Sequence, residues 1–431
     1  VMFVGMDFGT TNSAVGVVED AGPARIVPMT SARGQESATL RSMLAFDQAV
    51  KDDQRRPLAR IGQDAIDAYL DGDGETRLLQ SFKSYLTSRT FTNASIFNTS
   101  FALEDLIALV VRRLSATAMA GRDAPPLRVV AGRPVRFVAE DGRGEDAFAL
   151  GRLADAFARA GLGEVSFEYE PIAAAYYYER QLTRDETVLV ADFGGGTSDF
   201  CLVRLGPGRA KLNRPESAIL GTAGVGNAGD ALDRRIVEQA IAPFFGRGGS
   251  YRSDAKILPI PSWIYGRFAR WHHIGFLGTP STLRMLREIE RTADHPETID
   301  RLVTLIEHNL GYHLYRAVEA VKIALSGAEE TRFVFRHPPL LLEQTITRRA
   351  FEGWIAPELA EIAACVDGLL ATTATPAGAV DRVFMTGGTS LVPAVRAIFA
   401  ERFGAAKLIT GGEFVSVATG LAYRAQALGA P

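Results

Sequence analysis

Asp7 and Asp192 open the same short phrase, Asp-Phe-Gly followed by a hydroxyl-rich turn. The two copies are Asp7-Phe8-Gly9-Thr10-Thr11-Asn12-Ser13 and Asp192-Phe193-Gly194-Gly195-Gly196-Thr197-Ser198-Asp199. An aspartate at a strand end can hold a hydrated divalent cation. Glycines let the backbone close on a ligand, while successive amides and Ser/Thr hydroxyls converge as donors on phosphate oxygens. One such phrase alone is ordinary turn composition. Its repetition in two halves of one chain points to a duplicated unit, with the cleft between the halves as the candidate polyphosphate site.

Other residues could serve the same chemistry. Gly387-Gly388-Thr389-Ser390 stands between an apolar strand and a helix, where backbone approach to a ligand and a helix N-terminus coincide. Gly224-Val225-Gly226-Asn227-Ala228-Gly229 fits a dinucleotide fingerprint in spelling. It follows a hairpin rather than the first strand of a βαβ unit, and it reads as a further phosphate-side turn running into Asp230. Glu319, Lys322 and Ser326 share one helical face, for which a solvated ion pair is the ordinary reading. Lys83 is unremarkable by itself, and Glu170 before Pro171 is by default a helix-start residue. The chain has no Gly-Lys dipeptide, which excludes a P-loop. His308 and His313 are five apart, not the spacing that puts two ligands on one helical face, so no metal is assigned to histidine.

The elements that must position these residues follow from the pattern. Met2-Phe3-Val4 and Val15 to Val18, and Val188 to Ala191 and Phe200 to Val203, have the β-rich flanks of hairpins. An amphipathic helix is expected over Leu103 to Met119, a strand over Leu127 to Ala131, a helix over Asp146 to Ala160, a strand over Val165 to Tyr169 and a helix from Glu170. This alternation indicates α/β layers. Residues 31–102 read as a polar, irregular insertion, and about 228–345 as a mostly helical one containing the aromatic stretch Trp263 to Trp271. A strand over Val383 to Thr386, a helix over Val392 to Phe403 and a last helix over Val415 to Leu428 close the chain.

At 431 residues two lobes are expected: 1–185, and 186–410, with 411–431 as a C-terminal helix returning to the first. A formal net charge of -3 with no polybasic run argues against nucleic acid or an anionic membrane as partner. Cys201 and Cys365 form no ligand cluster or disulfide framework, and no apolar run approaches a membrane span, so a cytoplasmic protein is expected.

In this order, the DFGTTNS and VLVADFGGGTSD hairpins and the FMTGGTSLVP strand-turn resemble the ATPase domain of the seventy-kilodalton heat-shock (DnaK-like) chaperones. The Glu170-to-Ala175 stretch and the Val318-to-Lys322 helix match as well, and the resemblance covers nearly the whole chain. It implies an α/β, actin-like ATPase fold of the actin and sugar-kinase superfamily. Two lobes, each a ribonuclease H-like mixed sheet flanked by helices, would hold ATP or ADP with Mg2+, K+ being an open addition. Asp7, Asp192 and Asp199 would orient the metal. Gly9, Thr10, Thr11 and Asn12 would line one side of the phosphates, and Gly194, Gly195, Gly196 and Thr197 the other. Lys83 would reach the terminal phosphate, and Glu170 and Asp199 would place the attacking water, with Thr197 also catalytic. Glu170 and Pro134 would couple hydrolysis to lobe movement. Gly229 and Asp230 would join the nucleotide site, Glu319, Lys322 and Ser326 would hold ribose and adenine, and Gly387, Gly388 and Thr389 would cover the nucleoside.

Ile323 and Leu391 stand where the family has arginines that pack on adenine, and the segment around Arg136 and Arg143 diverges. The chain looks most like the short, YegD-type branch, which lacks the peptide-binding domain. What the resemblance implies is a monomeric, slow ATPase acting as a chaperone-like conformational switch, with protein clients or co-chaperones as partners. A small-molecule kinase of the same superfamily and a non-hydrolysing, nucleotide-dependent filament or interaction protein stay open beside it.

Overall fold

The computed structural model describes residues 1–72, 76–122, 126, 128–137, 146–210, 218–254, 256–270, 273–274, 277–412 and 414–429. Leu127, Arg143, Trp271 and His272 lie outside them. The chain divides into two compact units: Val1–Gly229 with Ala360–Pro431, and Asp230–Leu359.

The first unit contains two sheets built to one plan. In the first sheet, β1 (Met2–Phe8) pairs antiparallel with β2 (Asn12–Glu19), and β2 with the short β3 (Arg25–Ile26). After helix α1 (Leu103–Met119), β4 (Arg128–Arg133) joins β1 in parallel. After helix α2 (Asp146–Arg159), β5 (Val165–Tyr169) joins β4 in parallel and leads into helix α3 (Glu170–Glu179). In the second sheet, β6 (Glu186–Phe193) pairs antiparallel with β7 (Ser198–Leu205), and β7 with β8 (Ile219–Val225). β9 (Arg382–Thr386) then joins β6 in parallel. Helix α4 (Pro393–Phe403), the parallel strand β10 (Leu408–Thr410) and helix α5 (Ser416–Gly429) follow. The orders β3-β2-β1-β4-β5 and β8-β7-β6-β9-β10 coincide strand for strand, direction for direction.

Alternation along the strands decides what faces what. Met2, Val4, Met6 and Phe8 join Leu106, Val110 and Leu114 of α1 and Leu153 and Phe157 of α2 in one core. Phe3 belongs to a second core with Val188 and Val190 of β6, Cys201, Val203 and Leu205 of β7, Ile172 of α3 and Leu421 of α5. That core lies between the two sheets, with α3 and α5 inside it. Two steps past Phe3 and Gly5 on the same strand face comes Asp7, two steps past Val190 comes Asp192, and two steps before Cys201 comes Asp199. The strand period therefore brings all three aspartates to the side shared by the sheets.

The close approach of α5 to α3 depends on Gly420, where a Cβ would lie 1.7 Å from the Ala173 carbonyl oxygen. At the start of α1, the Asp105 carboxylate accepts from the Ala102 amide at 3.2 Å, satisfying a donor the helix itself leaves free.

Residues 31–102 are more ordered than their polarity suggests. Met43–Lys51 pairs with both Pro57–Ile61 and Arg77–Gln80, a helix spans Gln63–Asp71, and Asn93–Ile96 pairs with Thr99–Ala102. The apolar side of this subsheet, including Leu44 and Phe46, sinks into the α1 core, so packing overrides local composition.

The second unit contains the helices Pro280–Glu290, Pro296–Glu307 and Gly311–Gly327. It also holds two hairpins that a mostly helical reading passes over, Ser250–Ser253 with Lys256–Pro259 and Glu330–His337 with Leu340–Thr347. Phe333, Phe335, Leu342 and Ile346 are buried on one face of the latter, as a period of two requires.

Candidate functional site

The two hairpins are superimposable in register. Phe8 pairs with Ser13 and Phe193 with Ser198, so each tip is a four-residue loop, Gly9 to Asn12 and Gly194 to Thr197. The tips meet: a Cβ built on Gly196 would lie 3.1 Å from the Thr10 hydroxyl oxygen. In the first loop the Gly9 amide donates to the Ser13 hydroxyl at 3.3 Å, and that hydroxyl bonds Ser42 at 2.7 Å; the Ser42 amide donates to the Thr11 carbonyl at 2.9 Å. In the second, the Gly194 amide donates to the Thr197 carbonyl at 2.9 Å, and the Gly229 amide donates to the Gly194 carbonyl at 3.3 Å. Ser198 Oγ donates to the Asn227 carbonyl at 2.5 Å, so the Gly224-to-Gly229 turn is fastened to the second loop. Asp230 is the second residue of the helix Gly229–Ile236 and belongs to the second unit.

The duplication breaks at one chemically decisive position. Asp192 pairs across its hairpin with Asp199, whereas Asp7 pairs with Ala14. The second hairpin therefore supplies two carboxylates and the first only one. Asp199 is 1% exposed and accepts from the Val135 amide at 2.7 Å. That amide follows Pro134, which ends β4.

Lys83 reaches this cluster from the turn Phe82–Tyr85, which is entered through Ser81 at φ +64°. A left-handed serine is strained, and it is held because Phe82 and Leu86 are buried in the α1 core. Lys83 Nζ donates to Glu170 Oε1 at 2.5 Å, and both side chains are 9% exposed. Glu170 is the first residue of α3, with Pro171 behind it, where a carboxylate is favoured by the helix dipole.

Four carboxylates and one ammonium thus share a site with little water. Burial, then the Glu170 charge, pushes Asp7 up to about 7, with Lys83 opposing. The same two causes push Asp199 up to about 7, against hydrogen bonds from Thr197 and Val135. Asp192 is raised well above the ordinary carboxylate range by burial and by Glu170, Asp7 and Asp199. Burial works against the Lys83 ammonium, but Glu170, Asp7 and Asp199 together hold its pKa above the usual value. The donor set is all oxygen, suited to a hard divalent cation. Among the described residues no group of three or more His, Cys, Asp or Glu side chains is arranged to hold a metal ion directly.

Gly387-Gly388-Thr389 continues β9, the strand beside β6, and Thr386 pairs with Asp192. Gly387 sits at φ +84°, and a Cβ there would lie 2.0 Å from the Phe193 carbonyl oxygen, so no other residue fits. Glu319, Lys322 and Ser326 belong to the second unit, on the helix Gly311–Gly327. Lys322 Nζ donates to Asp233 Oδ2 at 2.7 Å, and Ser326 Oγ donates back to the Lys322 carbonyl at 3.2 Å. Asp233 and Val135 carry no sequence signal of their own; each becomes visible only through a long-range contact. Ile323 and Leu391 are 66% and 45% exposed.

Residues 299–430 match the family model described as Hsp70 protein. The chaperone protein DnaK of Deinococcus radiodurans is 26% identical over 420 residues, covering 93% of this chain and 55% of the relative. DnaK of Thermus thermophilus is 24% identical over 409 residues, covering 93% and 57%. The stromal 70 kDa heat shock-related protein, chloroplastic, of Pisum sativum is 24% identical over 448 residues, covering 99% and 53%. The chain spans about half the length of these curated relatives. No helix among the described residues is long and apolar enough to cross a membrane. By sequence the chain is Hsp70-like, similar to the DnaK-type seventy-kilodalton heat-shock proteins across nearly its whole length.

Proposed function

We propose that the chain binds ATP with Mg2+ at the paired hairpin tips, on an actin-like duplicated fold, and hydrolyses it slowly as the switch of a chaperone-like protein. The observation that carries this reading is the Lys83–Glu170 pair at 2.5 Å among Asp7, Asp192 and Asp199, below two loops of equal length that touch. Asp7 and Asp192, on the facing sheet sides, and Asp199 suit a hydrated Mg2+, which would neutralise phosphate charge. With the Gly9 and Gly194 amides engaged within their own turns, the other amides of the two loops and the hydroxyls of Thr10, Thr11 and Thr197 would supply the donors to phosphate oxygens.

In the proposed step, water attacks the terminal phosphorus as the bond to the bridging oxygen of the leaving ADP breaks. Lys83 offsets the charge on the transferring group, Glu170 and Asp199 hold the water, and Asp199 takes its proton. In its ionised form, which a bound cation favours, the Asp199 carboxylate is the general base that this constellation would offer to the water. Phosphoryl transfer to water needs positioning and charge neutralisation more than covalent help, which these groups supply. The roles for Glu319, Lys322 and Ser326 in the nucleoside rest on the family resemblance alone, as do protein clients, co-chaperones and a monomeric, cytoplasmic protein. The test is phosphate release from Mg-ATP by the purified chain, with and without small-molecule acceptors. Slow release independent of acceptor supports the switch. ADP production that requires an acceptor overturns it in favour of a kinase, and nucleotide-dependent light scattering without release does so in favour of a filament.

A further inference from the structure

One ion pair with no part in the proposed step is set nearly as deep as Lys83 and Glu170. Arg152 of α2 donates from Nε to Glu104 Oε1 of α1 at 2.5 Å, and the two side chains are 9% and 12% exposed. The rest of the guanidinium meets backbone. Nη1 donates to the Tyr85 carbonyl at 3.2 Å and to the Ser88 carbonyl at 3.0 Å, and Nη2 donates to the Phe91 carbonyl at 3.2 Å. One side chain therefore grips three carbonyls of the segment that leaves the Phe82–Tyr85 turn, the turn that carries Lys83. Arg89 adds a looser tie to the same helix, its guanidinium lying 4.6 Å over the Phe148 ring.

A buried ion pair adds little stability over apolar side chains of like volume, because desolvating two charges offsets their attraction. Its directional bonds are another matter. Residues 86–91 form no helix or strand, and their own bonds tie the segment only to itself: the Leu86 amide to the Lys83 carbonyl at 3.3 Å, the Ser88 amide to the Tyr85 carbonyl at 3.0 Å and the Phe91 amide to Ser88 Oγ at 3.1 Å. Burial of Phe82 and Leu86 in the α1 core sets how deep the turn sits, but apolar contact has no preferred direction. A planar fork bonded to three carbonyls does.

We propose that Arg152 is a positioning residue for hydrolysis: through the carbonyls of Tyr85, Ser88 and Phe91 it fixes the orientation of the Phe82–Tyr85 turn, so that Lys83 Nζ arrives within hydrogen-bond reach of Glu170. This rests on the reading of Lys83 as the group that meets the terminal phosphate. The route is short. Tyr85, whose carbonyl Arg152 holds, is two residues past Lys83 in the same turn, and the Leu86 amide that follows it holds the Lys83 carbonyl. Glu104 neutralises the guanidinium and aims its Nε, leaving the other end of the fork for the backbone.

Truncating Arg152 alone would leave Glu104 buried without a partner, so the test uses Arg152→Met/Glu104→Leu, which removes the pair whole, and Arg152→Lys, which keeps a charge for Glu104 but cannot span three carbonyls. Single turnover of radiolabelled Mg-ATP should slow by about 10- to 100-fold in both, the cost of a slightly misplaced catalytic group, with Mg-ATP affinity within about twofold of wild type. In a Lys83→Ala background the same changes should add nothing, since Arg152 acts only through that lysine. Amine labelling with peptide mapping reads the seat of Lys83 without nucleotide. Lys83 should label faster in both variants than in wild type, while Lys322, paired with Asp233 in the second unit, labels as before. Wild-type turnover with Lys83 still protected overturns the proposal, as does an equal slowing in the Lys83→Ala background or a joint rise in Lys83 and Lys322 labelling, either of which would mean a general loss of structure. If the wild-type chain releases no phosphate, the hydrolysis reading fails, and the labelling contrast alone then decides whether Arg152 seats Lys83.

Discussion

Lys83 shows how a residue with no local signature acquires a role. Nothing in Ser81-Phe82-Lys83-Ser84 distinguishes it from a surface lysine, yet the fold buries it against Glu170, 87 positions away. Removing a buried ammonium from this setting leaves Glu170 without its partner and removes one of the charges that lower Asp7 and Asp199. For Lys83→Ala, turnover of Mg-ATP should fall on the order of 100- to 1000-fold, the size of one lost transition-state donor, while nucleotide binding persists. The acid limb of the remaining activity should move to higher pH, since Asp199 titrates higher without the lysine. Phosphate-release assays across pH check both. Turnover within a few-fold of wild type would remove Lys83 from the chemistry.

At the scale of elements, helix contacts replace side chains with backbone. α5 crosses α3 so closely that only hydrogen fits at Gly420, because the obstructing atom is the Ala173 carbonyl oxygen rather than a movable side chain. Gly420→Ala should cost about 3 kcal/mol or more, the upper range for forcing a methyl into a packed core. Gly151→Ala, on α2 with open space where the methyl would go, should be neutral or stabilise by up to about 1 kcal/mol. Urea unfolding of both variants measures the difference, and similar midpoints would mean that α5 does not pack on α3 in this way. These elements were differently legible. The Leu103–Met119 helix and the Val165–Tyr169 strand could be bounded from their residues because one buried stripe or one run decides each. The three-stranded subsheet within 31–102 could not, since its strands are held by pairing partners distant in sequence and its outer face is polar. The hairpin Glu330–His337 with Leu340–Thr347 was hidden for a related reason. Only alternate residues are apolar and buried there, within a stretch flanked by long helices.

At the scale of the molecule, the repeat is what made the fold readable, and the break in the repeat is what makes the site asymmetric. Two Asp-Phe-Gly phrases announce matching sheets, but the approach of Lys83 and Glu170 and the tethering of Asp199 by Val135 arise only when the sheets close on a common core. That closure sets carboxylates from both sheets against one another, with a consequence for stability. Asp7 and Asp199 have folded pKa values near 7, above the unfolded carboxylate value, so the folded chain holds more protons than the unfolded one between about pH 4 and 7. Their contribution is greatest below the unfolded pKa and is lost as pH rises through about 7. His313, lowered to about 4 by burial, then by His337 and Arg316, acts in the opposite direction, but only up to the unfolded histidine value near 6.5. From pH 6.5 to 8 the ligand-free protein should therefore lose thermal stability. Mg-ATP should restore more of it at pH 8 than at 6.5, because a cation favours the ionised carboxylates. Binding at pH 7 should also release protons beyond those of the nucleotide itself, measurable by calorimetry in buffers of different ionisation heat, and Asp199→Asn should release fewer. A melting-temperature gain on Mg-ATP that is the same at both pH values, with equal proton release in wild type and Asp199→Asn, would show that these carboxylates do not meet the cation.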